Sequence, residues 1–328
     1  MPGRAIEAAG LPPPLRTMLL ELHGTWRRGD LLARAVELGA DEDAADALLT
    51  ELHSVGAVLD AAEQKRALAA RRSACVLVSG AGSLVAGVAC GLAAAGVGSL
   101  YVVTEGEVRA EDVGAVAAAD LGRPRAQAVI AAVRRIAPSA RVRVGSPRRR
   151  PDLAVLTDAL HPDPQHHQDL ASRGVPQLVV RVTDEIGLVG PLVLPGRSAC
   201  LRCLDLHRAA ADPCWPTVAA RLAGWVGSAG PATVVATAAL AVEQALLAVD
   251  AVFGAEPPPT LDGVLELDLR RGGLRRRRCA PHPDCRCGAA HTHPDDVVYR
   301  TTTSASIPRP GEPEAATGQP TCTARNGQ

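Results

Sequence analysis

Aromatic residues are nearly absent from this chain of 328 residues, and lysine is rarer still. Phe, Trp and Tyr together make up 2%, and Lys65 is the single lysine among 35 basic residues. A core built on aromatic rings is therefore excluded, although hydrophobic residues reach 47% of the chain. That proportion is typical of a globular protein, so Ala, Val and Leu have to supply most of the buried surface.

Net charge is also absent, because 35 acidic residues balance the 35 basic ones. This balance argues against bulk binding of nucleic acid or of an anionic membrane. The N-terminus lacks a basic segment followed by an apolar one, so no signal peptide is predicted. The most apolar stretch, residues 231–254, is interrupted by Glu243, Gln244 and Asp250, which favours a buried helix over a membrane span. We therefore expect a cytoplasmic protein with reduced thiols.

Residues 1–70 form the first of three segments that differ in pattern. Three stretches with apolar residues at helical spacing precede a short apolar stretch, GAVLDA, at 56–61. Three helices and a strand are typical of a small winged-helix module, and a helical cap packed on the main domain is the alternative. The last segment, 291–328, has few apolar residues and is predicted to be a disordered tail.

Residues 71–290 alternate between continuous apolar runs, such as ACVLVS and VPQLVVRV, and stretches with helical spacing. This alternation predicts an α/β fold, with a Rossmann-like, mostly parallel sheet covered by helices on both faces. Near the end, GVLELDL is predicted to pair with GLRRRRCA through the turn RRGG. The four arginines at 275–278 either form a phosphate-binding patch or protect a sheet edge from aggregation.

Four cysteines have the spacing of a metal site. Cys200 and Cys203 form a C-x2-C pair, and Cys285 and Cys287 form a C-x-C pair. Four thiolates are the usual ligands of a closed, tetrahedral structural zinc site, so we predict Zn²⁺ as a structural cofactor. Cys279 is the reserve ligand if the geometry of the C-x-C pair proves too tight.

The stretch VLVSGAGSLVAGVAC at 76–90 predicts a buried strand, a glycine turn and the start of a helix. In many proteins such a turn holds the phosphates of a nucleotide on backbone N–H groups. Gly80 and Gly82 stand where the turn needs glycine, but Ser83 and Val85 fill the next glycine positions. Alone, this motif is a weak signal of nucleotide binding.

The order of these pieces resembles the ThiF/MoeB-type adenylyltransferases, the superfamily that includes ubiquitin-activating enzymes. The resemblance covers about residues 71–290 and depends on the glycine-turn strand, DLGRPRAQAVIAAVRRIAP, PDLAVLTDA and GLVGPLVLPGRSACLRCL, followed by the C-x-C pair. It implies ATP binding, adenylation of the C-terminus of a small protein, and a Mg²⁺-binding aspartate. It assigns the cofactor-binding positions to Gly80, Gly82, Ser83, Arg125 and Asp158, of which Arg125 stands where the family has lysine.

The chain departs from this family at the positions that carry the chemistry. Thr104 and Gly106 replace the two acids that follow the second strand, and Ala115 replaces an arginine. Loss of one charge-stabilising group typically costs about 2.7–4 kcal/mol of barrier, and several act on the same phosphates. We therefore predict a degenerate nucleotide site, assign no catalytic residue, and do not expect ATP or Mg²⁺ as cofactors.

A narrower resemblance is to the ThiF-like leader-peptide-binding partners of YcaO cyclodehydratases in azole-modified peptide biosynthesis. It is seen in GLVGPLVLPGRSACLRCLDLHRAAADPCWP and in the closing HPDCRC. It implies that the N-terminal module binds the leader of a precursor peptide by strand addition, while the YcaO partner consumes the ATP. Position alone suggests Leu48, Leu49 and Leu52 for the groove wall and Val58 and Leu59 for the edge strand.

Relatives in this superfamily commonly form homodimers, so the resemblance allows a homodimer here as well. The sequence also leaves two other functions open. One is an active adenylyltransferase that uses Asp158 and Arg125 with a rearranged ribose contact. The other is a structural partner of unrelated enzymes. The leading hypothesis is a pseudoenzyme that presents a precursor peptide to a cyclodehydratase.

Overall fold

The computed structural model describes residues 10–24, 26–58, 61–112, 114–252 and 258–291. In the first segment it contains helices α1 (Pro13–Leu20), α2 (Arg28–Glu37) and α3 (Glu42–Ser54). These helices pack around an apolar cluster formed by Leu15, Met18, Leu31, Ala35, Ala45 and Leu49. The carboxylate of Asp41 caps α3 by accepting a hydrogen bond of 2.9 Å from the backbone N–H of Ala44.

The strand expected at 56–61 is not seen in the described part of that stretch. Gly56 has a φ of +74°, and the backbone N–H groups of Ala57 and Val58 both donate to the carbonyl of Leu52. This closes α3 with a tight turn, and helix α4 (Ala61–Ser73) begins soon after it. The three predicted helices are therefore present, but the strand of a winged-helix module is not shown. Leu59 and residues 292–328, which include nearly all of the predicted tail, lie outside the described residues.

One mixed sheet of eight strands organises the described part of residues 71–290. The strands lie in the spatial order β3-β2-β1-β4-β5-β6-β7-β8. Neighbouring strands are parallel from β3 to β5 in this order and antiparallel from β5 to β8. The strands are β1 (Cys75–Ser79), β2 (Ser99–Val103), β3 (Arg141–Val144), β4 (Leu153–Thr157), β5 (Gln177–Thr183), β6 (Ile186–Val193), β7 (Gly263–Asp268) and β8 (Gly273–Arg278). The predicted hairpin is thus β7–β8, at the edge of the sheet.

Helices cover both faces of the sheet, as the continuous apolar strands predict. One face is covered by α5 (Leu84–Ala94), α6 (Arg125–Ile136) and α10 (Pro231–Val252), which build the main core with residues such as Val78, Leu100 and Val129. The other face is covered by α7 (Pro164–Ser172) and α8 (Leu201–Ala211), which is followed by α9 (Trp215–Leu222). The predicted α/β fold is confirmed.

Helix α10 is the one described helix long and apolar enough to cross a membrane. Half of its apolar stretch is buried inside the protein, where the helix packs against α5, β5 and β6. Asp250 near its end accepts a hydrogen bond of 2.6 Å from Arg71 of α4. The helix therefore packs as a core helix, as its polar interruptions predict.

Candidate functional site

A cavity of about 560 Å³ lies at the carboxyl ends of β1 and β2. Here the strand order turns back on itself, since β1 lies between β2 on one side and β4 on the other. In open α/β sheets this switch point is where ligands bind. The predicted positions Gly82, Ser83 and Arg125 line the cavity, together with residues 226–229.

The glycine turn packs directly on Asp158 at the end of β4. The Asp158 carboxylate accepts a hydrogen bond of 2.9 Å from the backbone N–H of Leu84, at the start of α5, and one of 2.6 Å from the Thr157 hydroxyl. A Cβ on Gly80 would collide with Thr157 and Asp158, and one on Gly82 would lie 2.6 Å from Asp158 Oδ1. Both glycines are therefore required by the packing of this chain's own carboxylate.

Asp158 is held under backbone and electrostatic strain. Its φ is +73°, a region that residues other than glycine rarely adopt, and its side chain is buried. Burial raises the pKa of the Asp158 carboxyl, against the opposing effect of its hydrogen bonds to Thr157 and Leu84. This carboxylate occupies the N-terminus of α5, which is the position where a helix dipole favours an anion.

Arg125 is buried in an ion pair at the side of the cavity. Its Nε and Nη2 donate to Oδ2 of Asp112 at 3.2 and 3.1 Å, and its Nη1 donates to the carbonyl of Glu105 at 2.6 Å. The two side chains are 6% and 2% exposed. The guanidinium that stands where the family has lysine is therefore held by groups of this chain.

Sequence reasoning missed Asp112. It lies 13 positions before Arg125, in the loop that also carries Ala115, and only the folded loop brings the two side chains together. The available signal was the general rule that a buried arginine needs a buried acid as its partner. That rule directs attention to the acidic residues near Arg125 in the chain.

Acidic side chains dominate the remaining wall of the cavity. The lining has four carboxylates and two guanidinium groups, contributed by Glu105, Glu107, Glu111, Asp112, Arg109 and Arg125. Gly106, at one of the predicted ribose-acid positions, lies among them with a φ of +80° and no side chain. The charged side chains of this lining therefore carry two more negative charges than positive ones, and a nucleotide triphosphate is itself negatively charged.

The predicted metal ligands come together at one point. Cys200 and Cys203 lie at the start of α8, and Cys285 and Cys287 lie in the loop after β8, with all four Sγ atoms within 4.8 Å of one another. Neighbouring Sγ atoms are 3.6–3.7 Å apart. Tetrahedral zinc with Zn–S bonds of about 2.3 Å needs an S–S separation of about 3.8 Å. The four thiols therefore fit Zn²⁺.

The surroundings of the cysteine cluster are those of a closed structural site. Cys200, Cys203 and Cys285 are buried among Val193, Leu204 and Val264. Burial raises the pKa of the Cys203 thiol to about 11, so a bound cation is needed to hold it as a thiolate. Cys279, the reserve ligand, is buried nearby but does not belong to the four-thiol group.

The predicted peptide-binding residues lie on α3 and in the turn after it. Leu49 and Leu52 are buried, Leu49 within the cluster of α1–α3, and Leu48 packs at the edge of that cluster. Val58 is half-buried in the turn. Their role in peptide binding stays a prediction.

The described part of the chain is thus an α/β domain with a crevice at the switch point of the sheet, the nucleotide-type crevice, and a four-cysteine group beside the sheet. Structures of E. coli MccB have this fold. MccB solved with AMPCPP and selenomethionine MccA has a TM-score of 0.61 and 12% identity, over 79% of this chain and 85% of that one. MccB with ATP has a TM-score of 0.55 and 14% identity, over 68% and 69%.

A third structure is similar to the same extent. The microcin C7 biosynthetic enzyme MccB in complex with N-formylated MccA has a TM-score of 0.61 and 12% identity, over 78% of this chain and 85% of that one. No protein-family model and no curated protein matches the sequence. At these identities the likeness establishes the fold, and the recognition of a ThiF/MoeB-type fold is confirmed.

Proposed function

We propose that this protein is a catalytically silent ThiF-like scaffold that binds the leader of a ribosomal precursor peptide. It then presents the peptide to a YcaO cyclodehydratase, which forms the thiazole or oxazole rings. One observation carries the silent part of the proposal: Arg125 and Asp158, the two charged groups that match the family's nucleotide site, are both engaged by this chain.

Several features of these two groups and of their surroundings oppose ATP chemistry. Arg125 would have to leave Asp112 to reach a phosphate, and breaking a buried ion pair costs about 3–5 kcal/mol. The Asp158 carboxylate already accepts the backbone N–H of Leu84 at the start of α5. The acidic wall adds repulsion, and Ala115 supplies no positive charge.

The peptide part of the proposal is supported by the fold and by the N-terminal helices. The similar MccB structures were solved with MccA, so this architecture accommodates a peptide partner. In our chain, α1–α3 form a separate apolar cluster ahead of the sheet domain. Such a module can present a groove beside α3, with Leu48 at its wall and Val58 at its end.

Exchange of labelled pyrophosphate into ATP tests the silent part. The wild-type chain with Mg²⁺ and the precursor is expected to show no exchange above a protein-free blank. Exchange by the wild type that disappears in Asp158→Asn would instead establish an active adenylyltransferase, and the scaffold proposal would fail.

Binding of a leader peptide tests the peptide part, with the leader taken from a short open reading frame rich in Cys, Ser and Thr that lies beside the gene. Fluorescence anisotropy of the labelled leader should rise and saturate with the full chain. Val58→Asp should weaken binding by about tenfold or more, since even a neutral polar group without a hydrogen-bond partner costs about 1–3 kcal/mol in an apolar contact. Val36→Asp, an equal change on the exposed side of α2, is the matched control. Equal loss in both variants, or no saturable binding, would contradict the proposed groove.

A further inference from the structure

A second cavity lies between α8 and the end of β8, outside the nucleotide-type crevice. Its volume is about 340 Å³. Leu204, His207 and Arg208 of α8 line one side, and Arg277, Arg278 and Cys279 line the other. Three of these six side chains carry a permanent positive charge, so the cavity is basic.

A buried arginine from the middle of the sheet belongs to the same face. Arg181 of β5 is 7% exposed. It pairs with Leu188, Leu188 pairs with Glu266, and Glu266 pairs with Arg275 of β8. Residues opposite one another across strands share a face, and so do residues two positions apart along one strand. Arg181 therefore lies on the face that also carries Arg277.

Burial and the neighbouring positive charges both disfavour the charged forms of these arginines. Burial, and then the charges of Arg208 and Arg277, lower the pKa of Arg181 to about 10. Burial also lowers the pKa of Arg208, where Asp205 raises it and Arg277 lowers it further. Arg181 is buried, whereas the side chains of Arg208 and Arg277 are 31% and 43% exposed and line an open cavity. An anion in that cavity would offset the repulsion among the three guanidinium groups.

The nearby carboxylates are already shared with other groups. Glu266 accepts hydrogen bonds from both Arg275 and Arg277. Asp205 interacts with Trp215 at 3.0 Å and with His161 at 3.1 Å, and it lies 3.7 Å from Arg208. Among the described residues, no carboxylate accepts a hydrogen bond from Arg181.

We propose that this arginine pocket, formed by Arg181, Arg208 and Arg277, is a binding site for one small oxyanion, a carboxylate or a phosphate group. Arg208 and Arg277 flank the anion at the cavity, and Arg181 supplies positive charge from the sheet below it. Guanidinium groups bind both kinds of oxyanion through paired N–H donors. The proposal does not depend on peptide binding or on the state of the nucleotide-type crevice.

Isothermal titration of the full chain with inorganic phosphate, and separately with acetate, tests the site at constant ionic strength. Saturable binding is expected for at least one anion. Arg208→Gln and Arg277→Gln should each weaken it by about tenfold or more, because each removes a charged hydrogen-bond donor. Saturation with phosphate alone assigns a phosphate ligand, and saturation with acetate alone assigns a carboxylate ligand.

Arg271→Gln is the matched control, since it removes the same charge from the turn of the same hairpin, where the side chain is 87% exposed. An equal loss in this variant would reduce the effect to general charge and overturn the proposal. Non-saturable binding of both anions to the wild type would overturn it as well.

Tryptophan emission gives a second readout that needs no arginine variant. The Trp215 ring lies 4.6 Å from the Arg208 guanidinium, so an anion on Arg208 should change the emission of the wild type. The change should follow the same saturation curve and disappear in Trp215→Phe. A signal that persists without Trp215 would contradict binding at the arginine pocket.

Discussion

Replacing Asp112 by asparagine should destabilise the fold because Asp112 neutralises the buried charge of Arg125. The two side chains are 2% and 6% exposed, and Oδ2 of Asp112 accepts from two guanidinium nitrogens and from the backbone N–H of Arg109. Asparagine keeps one acceptor but removes the negative charge. Arg125 then keeps two neutral acceptors, the amide oxygen of the new asparagine and the carbonyl of Glu105 at 2.6 Å, and its charge has no counterion.

The expected loss in the free energy of unfolding is about 3–5 kcal/mol, which is typical of a buried ion pair that loses one partner. Glu111→Gln is the control, because Glu111 lies in the same loop and lines the same cavity. Its carboxylate is 63% exposed and lies 3.9 Å from Arg109, so the change should cost about 0–1 kcal/mol. The two variants remove the same charge next to the same crevice.

Urea unfolding followed by circular dichroism measures both values, with the slope of the transition as a check on two-state behaviour. Adding Arg125→Met to Asp112→Asn should cost less than the sum of the two single changes, since the second change removes the charge that the first leaves unpaired. If Asp112→Asn costs no more than Glu111→Gln, Arg125 is not held by Asp112. The reasoning for a silent nucleotide site would then lose its support.

Three further predictions concern the metal site, the glycine turn and Asp158. Purified protein should contain one zinc per chain by elemental analysis, and Cys203→Ser should lose it with a lower melting temperature, whereas Cys279→Ser should keep it; zinc loss in both would bring the reserve ligand into the site. Gly82→Ala should destabilise the protein by about 1–3 kcal/mol through overpacking against Asp158, whereas Gly29→Ala, at an open helical position, should stabilise it by about 0.4–1 kcal/mol in the same urea assay. Because the folded pKa of Asp158 is raised, its contribution to stability is present below the unfolded value near 3.8 and is lost as pH rises through the folded pKa. Asp158→Asn should therefore equal or exceed wild-type stability at pH 7 and lose this advantage towards pH 4, and a large loss at pH 7 would contradict it.

The parts of the fold that follow from local pattern were predictable. Continuous apolar runs mark β1 and β4 because parallel strands are buried on both faces. The four-cysteine group was predictable in part, since each of its two cysteine pairs is encoded within one short segment. Their role as zinc ligands stays a prediction. The helix-ending turn found in the described part of 56–61 was not predictable, because an apolar stretch of that length fits such a turn as well as a strand. Gly56, with its positive φ, favours the turn.

Side-chain pairs that depend on tertiary contact were beyond sequence reasoning. The arginine pocket is the clearest case: Arg181, Arg208 and Arg277 lie on β5, α8 and β8, and only the register across four strands relates the first to the last. From sequence, the arginines at 275–278 indicated a phosphate patch or edge protection. The structure places Arg275 and Arg277 on Glu266, so part of this charge is used within the hairpin.

The packing around the glycine turn explains why glycine is needed at two of its positions. Gly80 and Gly82 match the family's nucleotide motif, yet what excludes a Cβ at both positions is the side chain of Asp158, assisted at Gly80 by Thr157 and at Gly82 by Val226. A chain that no longer handles a nucleotide would still have to keep these glycines, because the turn and Asp158 fill the same space. The presence of these two glycines is therefore evidence for the fold and not for nucleotide binding. At the positions where the resemblance implies an acid and an arginine, the chain has Gly106, whose φ is +80°, and Ala115, which packs against the main core. Neither residue supplies a charged group to the crevice.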